Sequence, residues 1–568
     1  MRLRQPWDRL RSRPALDSLP LRGQRAVLGL MLACAILAGA GGAALGAAGT
    51  RTPSARMTAS VPPPASAGTT TAAGTSTADT STAATSTAAT TSSAGAASPL
   101  RPTPPAARPN IVFVLTDDLS FNLLRFMPHV QALAHRGMSF RNYYVSDSLC
   151  CPSRASIFTG SFPHNTGVFT NVGADGGMTV FHNRGEEAQS FNVALQKAGY
   201  STAMMGKYLN GYLEGVGRSG VSNTYVPPGW NEWDVAGFGY PEYDYPLNIN
   251  GVVHHFGHRR HAYLTDVLAR RGAAFVDRSA AAHNPFFLEL ATFAPHSPFT
   301  PAHRDARRFP GLRAPEPPSF DTLPANPPSW LAGHPPLTLH QIDHINRAYR
   351  LRARSVLAVD DLIARIEARL QVDGLMRNTY FVFSSDNGYH TGEHRLGPGK
   401  LTAFDTDIRV PLIVAGPGIR RGTVTNAMAQ NIDLARTFTD VGGATLDTGD
   451  GHSLAPVLFG QPRPSWRNAA LIEHHGPDLD SHDPDRQGVL SGNPTTYEAM
   501  RTYHYLYVEY ANGEREFYDL RADPFELDNI AATLTPNQQL QLHDSLSRLE
   551  NCQGASQCWA AAHVPPLP

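Results

Sequence analysis

From residue 110 onward, short apolar runs of strand length alternate with amphipathic stretches of helix length, and no other feature constrains the fold as much. Candidate strands at 111–115, 202–205, 286–292, 380–384 and 412–415 are separated by helical patterns at 127–136, 188–198, 262–278 and 360–370. Strands joined through helices pair in parallel, because a parallel crossover needs a dozen or more residues. The expectation is an α/β sandwich with a large, mostly parallel central sheet flanked by helices. Such sheets gather ligands beyond the C-terminal ends of their strands, so residues directly after these runs are the first candidates for a site.

The 568 residues are too many for one small core and imply a large catalytic domain with smaller attachments. Residues 1–50 carry Arg2, Arg4, Arg9, Arg11, Arg13, Arg22 and Arg25 ahead of an Ala/Leu/Gly run, which reads as a signal peptide or signal anchor. The protein is therefore expected to be exported, either secreted or held at the cell surface, and to meet a membrane only through that segment if it is not cleaved. Gly46 and Ala48 suit a signal peptidase, while Cys34 falls too early in the run for a lipoprotein cysteine. Residues 51–108 are an Ala/Ser/Thr/Pro stalk that cannot bury enough apolar surface to fold. The catalytic domain is expected at 109–468. A smaller antiparallel subdomain and tail are expected at 469–568, with strands at 497–501, 505–510 and 516–520, a hairpin at Asn512-Gly513 and a closing helix at 536–549.

The chain has 48 basic and 48 acidic residues and a net charge of +0, so nothing draws it globally to nucleic acid; any anion chemistry must be local. Five cysteines are too few and too scattered for a disulfide framework. Cys552 and Cys558 flank a short loop and either form a local disulfide, as export would favour, or remain two free thiols. The basic residues are almost all arginine, and the only lysines are Lys197, Lys207 and Lys400. A lysine that survives such a bias marks a place where a compact, titratable ammonium is required. Lys197 lies on a helix surface pattern and is the exception.

The first strand runs into Asp117-Asp118 and another into Asp386-Asn387-Gly388. If those edges are neighbours, three carboxylates and an amide converge, an oxygen set suited to calcium or magnesium and not to zinc. Between them in sequence lies Cys150-Cys151-Pro152-Ser153-Arg154, followed by Thr159-Gly160. This stretch resembles the signature of the formylglycine-dependent sulfatases, in the alkaline phosphatase superfamily. Other segments resemble that family in order: Met205-Gly206-Lys207-Tyr208-Leu209-Asn210, Ala294-Pro295-His296-Ser297-Pro298, Lys400, and Phe517-Tyr518-Asp519-Leu520 with Asp523, Pro524 and Glu526. The Gly-Lys-Tyr-Leu-Asn form is similar to the branch containing N-acetylglucosamine-6-sulfatases and heparan endosulfatases. Many members carry a histidine where this chain has Leu209, and His390 and His394 are candidates to replace it.

The resemblance implies an alkaline-phosphatase-like fold and a sulfatase. Cys150 would be oxidised to formylglycine by a formylglycine-generating enzyme, and Asp117, Asp118, Asp386, Asn387 and residue 150 would hold one calcium ion. Arg154, Lys207, His296 and Lys400 would complete the catalytic set, acting on a sulfated carbohydrate or aryl sulfate. The hydrated aldehyde would offer one hydroxyl to attack sulfur and a second whose deprotonation releases sulfate. Two alternatives stay open: a phosphonate or phosphate diester hydrolase of the same superfamily, and a non-catalytic calcium-binding surface protein. Residues 211–260 are rich in aromatic and small residues; Trp230, Trp233 and Tyr243 either stack on sugar rings at the pocket rim or fill a core.

Overall fold

A computed structural model describes residues 108–567 apart from 214–220, 462–464, 482 and 484. The expected export segment and all of the stalk before residue 108 lie outside the described residues. The strands are β1 (Asn110–Thr116), β2 (Met138–Tyr144), β3 (Ser201–Lys207), β4 (Glu232–Ala236), β5 (Tyr245–Ile249), β6 (Val252–Phe256), β7 (Phe286–Ala291), β8 (Thr379–Ser385), β9 (Leu412–Ala415), β10 (Thr423–Gln430), β11 (Ala469–His474), β12 (Tyr497–Thr502), β13 (Tyr505–Tyr510) and β14 (Arg515–Asp519). The helices that matter below are α1 (Pro128–Arg136), α2 (Cys150–Thr159), α3 (Leu264–Ala282), α4 (Leu339–Val372), α5 (Asp433–Val441) and α6 (Pro536–Glu550).

The first ten strands form one sheet in the order β10-β2-β9-β8-β1-β7-β3-β4-β5-β6. Only β9 and β5 run against the rest. The expected mostly parallel sheet is thus the observed one. Its centre, β1, is wholly buried because both of its faces are covered. Ile111, Phe113 and Leu115 pack into one apolar layer with Phe158 of α2 and Phe438 of α5. Val112 and Val114 pack into the other with Phe275 of α3 and Val356, Ile363 and Ile366 of α4. The two-residue period of the strand therefore divides one apolar run between two cores.

Strands β11 to β14 form a separate antiparallel sheet. Ala470, Ile472, Ala499 and Val508 continue the first of these cores, while Leu471, Met500 and Phe517 meet Leu542, Leu546 and Leu549 of α6. The Asn512-Gly513 hairpin lies where expected, with Gly513 at φ 88°. Cys552 and Cys558 are joined by a disulfide. Trp230 and Trp233 are core residues, the latter donating its Nε1–H to Tyr212 Oη at 2.6 Å; the rim reading fails for both. Tyr243 is half-buried against Tyr263.

Helix α4 begins 21 residues before the pattern read from sequence, at a capping box in which Thr338 Oγ1 accepts from Gln341 N and Gln341 Oε1 accepts from Thr338 N. Its buried stripe includes Arg352, and a charge in that stripe hides the helical period.

Candidate active site

Parallel pairing of β1 with β8 sets Thr116 opposite Ser385, so the Asp117-Asp118 and Asp386-Asn387 pairs emerge side by side. Next to β1 along the sheet, β7 leads into His296, and beyond it β3 ends in Lys207. Adjacent strand ends thus deliver the carboxylates, the amide, the imidazole and one ammonium to a single edge. Gly206 is required there: an added Cβ would lie 1.8 Å from Ala291 O of the neighbouring strand. Asp118 turns out of β1 at φ 64°, and the buried Arg352 braces it by donating to its carbonyl at 2.6 Å.

Cys150 is the first residue of α2, placed by the extended Leu149 before it. Its thiol donates to Asp117 Oδ1 at 3.2 Å, and Lys400 Nζ lies 2.8 Å from the sulfur. Lys400 also donates to Asp118 Oδ1 at 2.8 Å, and Lys207 to Asp117 Oδ2 at 2.6 Å. Arg154, one turn into α2, donates to Asp386 Oδ2 at 2.8 Å and to the Lys207 carbonyl at 2.9 Å. His296 Nε2 approaches Asp118 Oδ2 at 3.6 Å. All nine residues singled out in the sequence therefore stand at this one edge, and every one is buried. Lys197 is exposed, as its surface pattern implied.

Burial, with the Asp117 and Asp485 carboxylates beside it, pushes the Cys150 thiol well above its ordinary range, so the unmodified side chain is a protonated and poor nucleophile. Burial opposes charge on His296, but Asp485, Asp118 and Asp117 outweigh it and raise the imidazole to about 9. Burial likewise opposes the Lys207 and Lys400 ammoniums, which the surrounding carboxylates raise instead. The three cations and His296 thus face the site charged.

The donor set fits a hard divalent cation. Asn387 Nδ2 donates to Asp118 Oδ1 at 2.7 Å and to the Gly388 carbonyl, which leaves Asn387 Oδ1 buried and without a hydrogen-bond partner. A buried amide oxygen free of hydrogen bonds beside three carboxylates is the kind of all-oxygen donor set that suits a hard divalent cation. Ligand atoms of Asp117, Asp118, Cys150 and His296 also lie within 4.8 Å of one another.

Several residues at the site were not read from the sequence. Asp485, on the connection between β11 and β12, accepts a hydrogen bond from His296 Nε2 and one from Asn171 Nδ2 at 2.8 Å, and lies 3.5 Å from Lys400 Nζ. Asn210 Nδ2 reaches Tyr240 Oη at 3.2 Å and Asp485 Oδ2 at 3.4 Å, while Leu209 turns into the core. Tyr240 packs on His296 at 4.5 Å between ring centroids and lies 4.9 Å from Lys207 Nζ. Asn210 and Tyr240 thus join the site beside Asp485, His296 and Lys207, while Leu209 does not. His390 and His394 do not take the place of the absent histidine. His390 Nδ1–H donates to Asp407, and its backbone pairs with Gly399, so it holds the loop that carries Lys400. His394 stacks on Phe404 at 3.8 Å and donates to the Phe525 carbonyl.

The Sulfatase family profile matches residues 109–444, and a profile described as N-sulphoglucosamine sulphohydrolase, C-terminal, matches 392–552. The human N-acetylglucosamine-6-sulfatase is 36% identical over 475 residues, covering 79% of this chain and 85% of the human one. The Drosophila melanogaster extracellular sulfatase SULF-1 homolog is 35% identical over 383 residues, covering 65% of this chain and 33% of that protein. Among solved structures, BT4656 in complex with its substrate D-glucosamine-2-N,6-O-disulfate superposes with a TM-score of 0.65 at 24% identity, covering 78% of this chain and 97% of that one. The phosphonate monoester hydrolase of Agrobacterium radiobacter superposes at 0.59 and 21%, covering 78% and 95%, a likeness of fold alone.

Proposed function

This chain belongs to the sulfatase family and is a sulfuric ester hydrolase, and from that premise we propose that it is an exported, formylglycine- and calcium-dependent enzyme that removes 6-O-sulfate from N-acetylglucosamine residues of a glycan. One observation carries the reading: Cys150 opens α2 with Lys400 Nζ 2.8 Å from its sulfur and Asp117 Oδ1 3.2 Å away, inside a ring of buried cations. That is a nucleophile's position facing an anion site, yet a thiol there is neither charged nor able to expel sulfate afterwards. Oxidation of Cys150 to the aldehyde supplies, once hydrated, two hydroxyls on one carbon, one for attack and one for release. Asp117, Asp118, Asp386, Asn387 and residue 150 would hold a calcium ion, which would supply positive charge to offset that of the transferring group.

The chain's own residues then divide the work. Lys207, Lys400 and His296 present donors to the sulfate oxygens, fixed in advance in a buried site where charge counts for more than in water. His296 carries a proton beside the ester oxygen and gives it to the departing alcohol. Arg154, bonded to Asp386 and to the Lys207 carbonyl, keeps the metal carboxylate and the lysine in register. Asp485 accepts from His296 and Asn171, and so competes with a bound ester for those donors.

The choice of alcohol rests on the human relative's name and on the Gly-Lys-Tyr-Leu-Asn segment. No observation favours a phosphonate or phosphate diester hydrolase or a silent calcium-binding protein, the two other readings of the sequence. Hydrolysis rates on N-acetylglucosamine-6-sulfate, its 3-sulfated isomer and a phosphate diester of matched leaving group, read as sulfate release for the first two and as alcohol release for the diester, test the proposal. Preference for the 6-sulfate is expected, and faster turnover of the diester would overturn it.

A further inference from the structure

Strand β6 is the outer edge of the large sheet and is exposed along most of its length. It and the turn after it read His254, His255, His258, Arg259, Arg260, His261 within eight residues, all exposed and with no carboxylate among them. Beside this edge lies a cleft of about 700 Å³ whose walls include Arg260, His261, His303, Arg304 and Arg307, with the rings of Tyr243 and Tyr263 between them. A dense basic stretch on a protein with a net charge of +0 is a local anion footprint, of the kind that binds polyanions.

The nearby carboxylates do not neutralise it. Asp244 accepts from His255 at 2.9 Å and approaches His258 at 3.5 Å, and Asp266 pairs with Arg304 at 2.7 Å. Asp361 pairs with Arg304 at 2.9 Å. Arg259, Arg260 and Arg307 form no ion pair among the described residues. Nor do the histidines gather as a metal site: the one group of ligand atoms close enough for an ion, among the described residues, is that at Asp117.

The cleft lies near the active site, within a few residues along the chain. Tyr240, against His296, is three residues from Tyr243 on the cleft wall, at most about 11 Å of extended chain. His296 is seven residues from His303, at most about 25 Å. The two segments that supply Tyr240 and His296 to the site go on to line the cleft through Tyr243 and His303.

We propose that this cleft and the exposed strand edge beside it, with Arg260 and Arg307 on the cleft wall and Arg259 on the edge as anion-binding groups, are a docking groove for the sulfated glycan chain that bears the cleaved ester. The inference rests on the glycan reading above and adds to it: the enzyme engages a polymer over several sulfated units, not a terminal sugar alone. The half-buried Tyr243 gives a sugar ring an apolar face, and the arginines match sulfates in bidentate fashion.

The test compares the wild-type protein with a variant carrying Arg259→Ala, Arg260→Ala and Arg307→Ala, none of which is in the catalytic set. Wild type should be retained on immobilised heparin, and the variant should elute at clearly lower salt, with a shallower dependence of log K on log salt because roughly three contacts are lost. KM on a sulfated glycan polymer should rise about 10-fold, while kcat/KM on a small aryl sulfate stays within about twofold, as expected of contacts remote from the reacting group. Equal retention of variant and wild type would overturn the groove but leave the glycan reading standing. Wild type that neither binds heparin nor cleaves any sulfated glycan, yet turns over the aryl sulfate, would instead refute the glycan reading. Equal wild-type retention on a DNA column of matched charge would overturn the commitment to a glycan.

Discussion

Replacing Lys400 by arginine keeps the charge and should still remove most of the activity. Lys400 Nζ makes three close approaches from one point: 2.8 Å to Cys150 Sγ, 2.8 Å to Asp118 Oδ1 and 3.5 Å to Asp485 Oδ1. At 1% exposure it is buried among these partners. A guanidinium is longer and planar, and cannot place one nitrogen at that point without displacing the α2 terminus or the Asp118 turn. A displacement of about 1 Å in a catalytic constellation costs about 100-fold, so kcat/KM should fall by about two orders of magnitude, equivalent to about 2.7 kcal/mol. Because Asp118 keeps a cationic partner, the melting temperature should move by only about 3 °C, whereas Lys400→Met would strand a buried charge at a cost of about 3–5 kcal/mol. The assay is turnover of an aryl sulfate with melting temperature and the state of residue 150 measured on the same preparation, so that lost conversion is not mistaken for lost catalysis. Near wild-type turnover by a fully converted arginine variant would refute the argument that a compact ammonium is required.

Elemental analysis should find one calcium per chain, and exhaustive chelation should lower the melting temperature as well as activity, since an ion at 1,000 times its Kd adds about 4 kcal/mol; stoichiometric zinc, or a melting curve indifferent to chelation, would contradict the oxygen shell. Asp485→Asn weakens a competitor for the donors His296, Asn171 and Lys400, so KM for a small aryl sulfate should fall several-fold with kcat little changed; a kcat loss of about 100-fold would instead make Asp485 part of the chemistry. Burial, with His475 adding to it, holds His474 neutral down to about pH 3; neither ring nitrogen makes a hydrogen bond, and Nδ1 only approaches Asp147 Oδ1 at 3.8 Å. The unfolded chain binds that proton near pH 6.5 and the folded one does not, so this group removes stability as pH falls below about 6.5, by up to about 2 kcal/mol at pH 5. Melting curves of His474→Phe should therefore lose less between pH 7.5 and 5 than those of wild type, and equal losses would show that His474 is not the cause.

The sheet and the metal-side residues were legible because each depends on a local rule. Apolar strands announce themselves by composition, and a carboxylate directly after a strand is carried to the sheet's C-terminal edge whatever the rest of the chain does. The lysine bias singled out Lys207 and Lys400 for a similar reason: two surviving ammoniums in an arginine-rich chain need a cause. Asp485 had no such marker. It sits on an irregular connection, among Asp478, Asp480 and Asp483, and nothing in spacing says which of four aspartates faces the site. Asn171 and Tyr240 likewise come from loops whose paths are set by packing. Arg352 was hidden for the opposite reason, because a buried arginine inside a helix stripe looks like an interruption of the helix until its partner, the Asp118 carbonyl, is seen. Edge strand β6 carries two histidines in its five residues and does not read as a core strand, and its exposure is what leaves the basic edge open.

The central claim, that residue 150 acts as an aldehyde and not as a thiol, is tested most directly by a mass spectrum of the peptide spanning Cys150 and Cys151, taken from protein whose sulfatase activity has been measured and which was made with a formylglycine-generating enzyme present. The account predicts a residue 150 lighter than cysteine and reactive toward hydrazides, Cys151 still a thiol, and activity proportional to the converted fraction. Full activity from protein carrying an ordinary cysteine at position 150 would contradict it.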